Sequence, residues 1–521
     1  MSKFGKKVDY IKFPKFYPHQ KEMYSSGKRF LKKKSGRGWF SIPTGGGKSF
    51  PMYKLITEAF KNGYKVQAML SPKIALNNQH LNLLEKLGMF KDGTVLPIFF
   101  HTGKIKFADS SIKFEQTTNP QKLHEILTFN QGKKFLIFST YASDNTFLDE
   151  ENGIDVNVKY VEDIKKYVQV IHADEFHHFS QQTETNKQFI ENLPGIIFFY
   201  SASIFKGEII SVDDKDLFGE CLAKIKIKEL QEQGIIVPHF NFRFYDLNNL
   251  KIKEIKSIVK DIAEQKGFDI ANAYKEITAI ISHFNYVYAN EGHCKELVYT
   301  KDKKFAELFI ENFDKFKEFL NSDDVYMNGV FGETSGEDRQ LVFQNTKDSK
   351  NCIILNYSVI LEGIDLECFN SVFFGRQMGI ISLQQGSGRG SRTLREDKEL
   401  FRSGILSIND PKLNEKMKKY TTYYGFAINN ETNPVEDIKN IFKKLINIGI
   451  DSDTILKSIE EEKTKRKSTD DTDDFMLGEI DIQSKIVRNA MDEIKSEEYD
   501  LEFQSRVNSL DNMALNALLT L

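Results

Sequence analysis

The chain has 521 residues, 40% hydrophobic and 28% charged, with 72 Lys and Arg against 74 Asp and Glu and a formal net charge of −2. That length is more than one core can organise and predicts two or three domains. The near-zero net charge excludes a whole-chain argument for nucleic acid. No apolar run is long enough to span a bilayer, and four scattered cysteines (Cys221, Cys294, Cys352, Cys368) without Cys-x-x-Cys spacing argue against a zinc or iron–sulfur site. The N-terminus lacks the apolar segment of a signal peptide, so a cytoplasmic protein is expected.

Residues 1–38 are basic with interleaved aromatics and lead into a helix expected from Gln20 to Lys34. In Phe16-Tyr17-Pro18-His19-Gln20, an aromatic ring could stack on an adenine while Gln20 hydrogen-bonds its edge. Trp39-Phe40-Ser41-Ile42 reads as the end of a buried strand. It runs into Pro43-Thr44-Gly45-Gly46-Gly47-Lys48-Ser49 and then a helix over Pro51 to Phe60. Strand, glycine loop, Lys-Ser and helix form the phosphate-cradling arrangement. Backbone N–H groups of Thr44, Gly45, Gly46 and Gly47 point at phosphate oxygens, Lys48 reaches the terminal phosphates, and the Ser49 hydroxyl can ligate Mg²⁺. Ile42 stands where the strict pattern has glycine.

Further strands are expected at Tyr64–Ser71, Val95–His101, Phe135–Tyr141, Val168–Ala173 and Ile196–Tyr200, with helical segments between them. Polar residues gather at their carboxyl ends, as in a parallel sheet with its site along that edge. Asp174-Glu175 ends one of these strands. It is the acidic partner that a phosphate loop needs: Asp174 can hold Mg²⁺ through water, and Glu175 can polarise the water that attacks the γ-phosphate of ATP. A domain boundary is placed near Pro238, where a helix runs into an extended segment, and the next 50 residues read mostly helical. A second strand–helix series starts at Lys295–Thr300, includes Asn351–Asn356 and Ser371–Phe374, and reaches Gln385-Gly386-Ser387-Gly388-Arg389-Gly390-Ser391-Arg392. Arg389 and Arg392 are three apart on one helical face and carry the planar charge that suits a phosphoryl-transfer transition state. Beyond about residue 430 the β pattern stops. Residues 435–460 and 478–521 read helical, around a charged, low-hydrophobicity joint near 460–474.

In this order the motifs resemble those of superfamily 2 helicases of the DExH type, near type III restriction subunits and XPB-like and UvsW-like translocases. The resemblance spans roughly residues 13–395. Gln20 resembles the adenine-reading Gln, Pro43 to Ser49 motif I, Ser71-Pro72 to Gln79 motif Ia and Ser139-Thr140-Tyr141 motif Ic. Asp174-Glu175-Phe176-His177 resembles motif II, and Ser201-Ala202-Ser203 motif III, with Ser203 where Thr is usual. Leu297 to Thr300 resembles motif IV, Leu361-Glu362-Gly363-Ile364-Asp365 motif V and Gln385 to Arg392 motif VI. The family implies an α/β chain of two tandem RecA-like domains with parallel sheets, here 1–238 and 239–430, followed by a helical C-terminal region, 431–521.

It also implies ATP and Mg²⁺ as cofactors, ATP in a cleft between the domains and nucleic acid across both. Arg389 and Arg392, with Gln385, would act on the phosphates when the cleft closes. Gly363 and Asp365 would approach phosphates and ribose. His177, Ser201, Ala202 and Ser203 would couple the ATP site to the strand track, and Ser71, Thr140, Thr300 and Ser358 would contact the phosphate backbone. The expected activity is that of an ATP-dependent helicase or translocase on DNA. The alternatives are an RNA helicase, or the ATPase motor subunit of a larger restriction, antiviral-defence or viral transcription complex that docks a protein partner through its helical C-terminus.

Overall fold

A computed structural model describes residues 11–105, 107–130, 132–141, 155–180, 183–202, 210–247, 253–266, 270–357, 367–407, 421–428, 434–450 and 455. The chain divides into two units, Met1–Gln233 and Gly234–Leu521.

In the first unit eight strands form one sheet in the order β4-β3-β5-β2-β6-β7-β1-β8. The strands are β1 (Gly36–Ser41), β2 (Val66–Ser71), β3 (Val95–Phe100), β4 (Glu115–Gln116), β5 (Lys134–Thr140), β6 (Val170–Asp174), β7 (Ile196–Ser201) and β8 (Glu220–Lys224). Every pairing is parallel. Helices cover both faces, so β2, β3 and β7 are buried at every position and read as continuous apolar runs. One face is stitched by ring stacking, with Phe40 5.2 Å from Tyr200 and His172 5.5 Å from Phe198. Burial pushes the His172 imidazole down to about 3, so this core histidine is neutral. Helices α1 (Pro18–Phe30), α2 (Ser49–Lys61) and α3 (Ile74–Lys86) carry the residues that meet at the carboxyl edge.

In the second unit six strands form another all-parallel sheet, β11-β12-β10-β13-β14-β9. They are β9 (His239–Asp246), β10 (Lys295–Tyr299), β11 (Tyr326–Val330), β12 (Cys352–Asn356), β13 (Ser371–Phe374) and β14 (Thr421–Ile428). The two sheets and their helices are the expected pair of RecA-like α/β folds. Helices Lys253–Lys266 and Ile270–Glu291 fill most of the stretch read as helical, but its first eight residues are strand β9. β9 pairs with β14 along its full length, His239 to Asp246. Of the C-terminal region, helix Pro434–Asn447 is described. Its Ile441 and Lys444 line a crevice with Phe426 of β14 and Leu383. The charged joint near 460–474 and the helical reading of 478–521 lie outside the described residues.

Candidate functional site

The loop after β1 turns by a hydrogen bond from Gly46 N to Pro43 O (3.0 Å), while Ile42 N donates to Ser201 O on β7 (3.0 Å). Gly45 (φ +89°) and Gly47 (φ +72°) occupy the left-handed region, where a side chain would add strain. Space is short around the loop as well. A Cβ on Gly46 would lie 2.6 Å from Ile42 Cγ2, and one on Gly47 2.7 Å from Gln20 Nε2. Ile42, the departure from the strict pattern, is buried beneath Gly46 as the floor of the loop. Lys48 is the N-cap of α2 and Ser49 its first residue.

The loop is held from outside by α1. The imidazole of His19, 2% exposed, donates from Nε2 to Gly46 O (2.7 Å). Gln20 donates from Nε2 to Gly47 O (3.0 Å) and accepts at Oε1 from Tyr17 N (3.1 Å). A carboxamide has two N–H groups and two acceptor lone pairs, so half of Gln20's capacity is used here. The segment before α1 is anchored by Lys54 of α2. Its ammonium lies 5.1 Å from the Phe13 ring, 5.5 Å from Phe16 and 5.4 Å from Tyr24.

At the end of β6, Asp174 has no exposed surface. Glu175 follows at φ +52°, a left-handed conformation that costs a non-glycine residue about 1–2 kcal/mol. Its amide donates to Asp174 Oδ1 (3.0 Å), which contributes toward that cost. Lys48 Nζ lies 2.9 Å from Asp174 Oδ1 and is also bonded to the Glu175 carboxylate. Asp174 Oδ2 accepts from His80 Nε2 (3.0 Å). Burial opposes ionisation of all three groups, but mutual pairing prevails. The Lys48 charge holds both carboxyls below the usual range, and the two carboxylates hold Lys48 above its own. His177 Nδ1 is 2.9 Å from Ser201 Oγ and 3.2 Å from Glu175 Oε2. One imidazole thus joins the acid to the end of β7, which lies between β1 and β6 in the sheet.

The structure therefore brings Gln20, the Thr44–Ser49 loop, Asp174, Glu175, His177 and Ser201 to one carboxyl edge. Ala202 follows Ser201 at a bend, while Ser203 lies outside the described residues. In the second unit, Gln385 and Arg389 sit on helix Ile380–Gly390 and Arg392 just beyond it. Gly386 and Gly390 let that helix approach the sheet. A Cβ on Gly390 would lie 2.7 Å from Val372 Cγ2, and one on Gly386 3.0 Å from the Tyr299 and Phe374 rings. Thr422 Oγ1 donates to Gly390 O (2.7 Å) and Tyr424 OH to Ser387 O (3.0 Å), fixing the helix on β14. Burial lowers the Arg392 guanidinium to about 10, which leaves it charged at neutral pH.

Of the hydroxyls expected on a phosphate backbone, the three that are described are buried. Ser71 and Thr300 have no exposed surface, and Thr140 is 6% exposed. Ser71 Oγ donates to Asn77 Oδ1 (2.7 Å) and Thr300 Oγ1 to Asn356 O (3.3 Å). Asn77 in turn donates to Ser139 O (3.0 Å). Ser71 and Thr300 thus tie strand ends together. Ser358, Gly363 and Asp365 lie outside the described residues. Sequence reasoning missed His19 and His80; a buried histidine on an apolar helical face carries no signal until its partner is seen.

Among the described residues no group of three or more His, Cys, Asp or Glu could hold a metal ion, and no helix is long and apolar enough to cross a membrane. Residues 13–204 match the family model described as type III restriction enzyme, res subunit. No curated protein matches the sequence. Among solved structures, the ATP-dependent Type ISP restriction-modification enzyme LlaBIII bound to DNA is similar at TM-score 0.57 and 15% identity, over 84% of this chain and 30% of that one. A nuclease-deletion mutant of the Type ISP enzyme LlaGI, in complex with a DNA substrate mimic, is similar at TM-score 0.51 and 13% identity, over 88% and 32%. The likeness is one of fold, and this chain spans about a third of the length of those enzymes.

Proposed function

We propose that this chain is a superfamily 2 helicase-type protein and an ATP-hydrolysing motor that acts on nucleic acid, with DNA as its track. The observation that carries the proposal is the charge cluster at the glycine loop: Lys48 paired with both Asp174 and Glu175 at the edge of a parallel sheet. A glycine loop with two left-handed residues, an ammonium at its end and a helix N-terminus behind it suit a polyphosphate. Ser49 at the start of α2 and Asp174 at the end of β6 suit a Mg²⁺ that shares its ligands with the nucleotide.

Lys48 would turn from the acids to the terminal phosphates. Ser49 and Asp174 would hold Mg²⁺, which supplies neutralisation of phosphate charge when bound. Glu175, kept ionised by its partners, would orient the attacking water and take up its proton. His177 would report the state of Glu175 to Ser201 on β7, the first step of coupling to the track. Gln385, Arg389 and Arg392 would stabilise the charge that develops on the phosphoryl group.

The match to a type III restriction subunit and the likeness to much longer Type ISP enzymes favour a setting in a restriction or defence assembly, with this chain as its motor. The test is ATP turnover by the purified protein with single-stranded, duplex and branched DNA and with RNA. Lys48→Ala sets the background. DNA is expected to raise turnover at least severalfold. Stimulation by RNA alone would move the assignment to an RNA motor, and turnover that no nucleic acid changes would remove the motor reading.

A further inference from the structure

The connection between the two units is bonded at both of its ends. Gln233 is the last residue of the first unit and Gly234 the first of the second. In the first unit, Gln233 caps helix Ile227–Glu232 at its C-terminus. His19 Nδ1 lies 2.8 Å from Gln233 Oε1, and His19 Nε2 lies 2.7 Å from Gly46 O. Leu230 of the same helix packs on the glycine loop, its Cδ1 3.2 Å from where a Cβ on Gly46 would stand. In the second unit, Ile236 forms an antiparallel bridge with Arg392. Val237 N donates to Ser391 O (2.8 Å) and Thr393 N to Ile235 O (3.4 Å).

The stretch between these attachments is short and packed. Gly234 is left-handed (φ +64°), and a Cβ on it would lie 2.1 Å from Phe401 Cγ, which leaves no room for a side chain unless Phe401 moves. Gly234, Ile235, Ile236 and Val237 are all buried. At the loop, the Gly46 carbonyl and the Gly47 N–H belong to one planar trans peptide unit and point in opposite directions. A bond that holds Gly46 O therefore aims Gly47 N–H, one of the groups read above as facing phosphate. A carboxamide carries both an acceptor oxygen and a donor nitrogen, so Gln233 can meet Nδ1 in either charge state of the His19 ring.

We propose that His19 and Gln233 are positioning residues that carry movement of the arginine segment, Ser391 to Thr393, to the glycine loop through Gly234 to Val237. The proposal rests on the motor reading above, in which nucleic acid and the arginines act together on ATP. Displacement of the bridged segment pulls on Gln233, Gln233 turns His19, and His19 re-aims Gly47 N–H at the phosphates. Each attachment alone does no more than pack its own unit. Joined in one stretch of chain, they let nucleic acid that engages the second unit change hydrolysis in the first.

The experiment measures ATP turnover by the full chain with single-stranded DNA, with duplex DNA and without nucleic acid. The variants are Gln233→Met, Gln233→Glu and a chain with a Gly-Gly insertion between Gln233 and Gly234. Gln233→Met keeps the side chain's length and removes the bond, while Gln233→Glu keeps an oxygen that can bond Nδ1. The insertion preserves the contacts at both ends and adds slack between them. In Gln233→Met and in the insertion most of the stimulation by DNA is expected to be lost, a fall of about fivefold. Turnover without DNA should stay within about twofold of the parent, because His19 keeps its own bond to Gly46 O. Gln233→Glu should retain most of the stimulation. Parent-like stimulation in either Gln233→Met or the insertion overturns the proposal, and so does a Gln233→Glu protein as impaired as Gln233→Met. An equal fractional loss with and without DNA also overturns it, since that is the pattern of a packing role. If DNA does not stimulate the parent, the motor reading fails, and this proposal with it.

Discussion

Replacing Lys48 with Met removes an ammonium and keeps most of the stem, so it isolates the charge. In the parent that charge lies 2.9 Å from Asp174 Oδ1 and is bonded to Glu175. Removing one partner of a buried ion pair costs about 3–5 kcal/mol. Here the Lys48 and Glu175 side chains keep 16% and 20% of their exposure, and Asp174 retains His80 and the Glu175 amide. The expected cost at pH 8 is therefore lower, about 2–3 kcal/mol. For a unit of this size it corresponds to a fall of about 4–12 °C in the melting temperature of the first unit.

The pH dependence follows from the signs. Asp174 and Glu175 have depressed folded-state pKa values, so their contribution is complete above about pH 4 and is lost as pH falls through the folded values. Lys48 has a raised folded-state pKa, so its contribution is complete below about pH 10 and is lost as pH rises through the folded value. Between pH 5 and 8 the parent's cluster is flat. Without Lys48, burial dominates and the two carboxyls rise. The variant then recovers stability as pH falls and they take up protons. Thermal melts of nucleotide-free protein from pH 5 to 8 should show a gap from the parent that is widest at pH 8 and narrows toward pH 5. A gap of constant size, or none at pH 8, would refute the pairing argument.

Glu175→Gln keeps the shape and removes the charge; it should bind ATP with affinity within a few fold of the parent and lower single-turnover hydrolysis at least 100-fold, read by rapid quench. Arg389→Ala is expected to leave nucleotide affinity within about twofold and to cost about 10³-fold in hydrolysis. Arg389→Lys should rescue poorly because an ammonium lacks the forked contact. Nucleic-acid affinity, measured by anisotropy, should fall steeply and linearly in log–log form with salt and depend little on sequence at fixed length. A strong preference for one short sequence would contradict a backbone-tracking motor.

What was legible in the sequence follows from how local its cause is. The glycine loop could be read because backbone approach, left-handed φ and Lys-Ser are adjacent in the chain, and Asp174-Glu175 because it ends an apolar run. β9 could not be read so easily. Its Arg243 has no exposed surface and lies 3.7 Å from the Tyr286 ring centre. A cation in a strand reads as surface until the ring that covers it is known, and that ring comes from a helix forty residues on. β14 was missed for a related reason: it returns after a long connection to pair beside β9 and β13, and such pairing has no local sign. Ile42 looked like a flaw in the motif, but its place under Gly46 shows that the loop uses a floor there rather than a hinge.

The charge balance at the loop also constrains how it can work. One ammonium faces two carboxylates, both held ionised largely by that ammonium. A phosphate that draws Lys48 away leaves the pair of acids buried and unopposed, at a cost of the kind worked out above for Lys48→Met. Lys48 can therefore turn fully to a phosphate only if another cation meets Asp174 and Glu175 at the same time. Nucleotide and Mg²⁺ should then bind cooperatively, each strengthening the other by the same factor. The Lys48→Met protein should lose most of that cooperativity, because its acids are open to a cation whether or not nucleotide is present. Calorimetric titration of Mg²⁺ with and without ADP, in parent and variant, measures the factor directly. Equal cooperativity in the two proteins would mean that Lys48 does not exchange between acids and phosphate, and that the ion pair persists in the nucleotide-bound state.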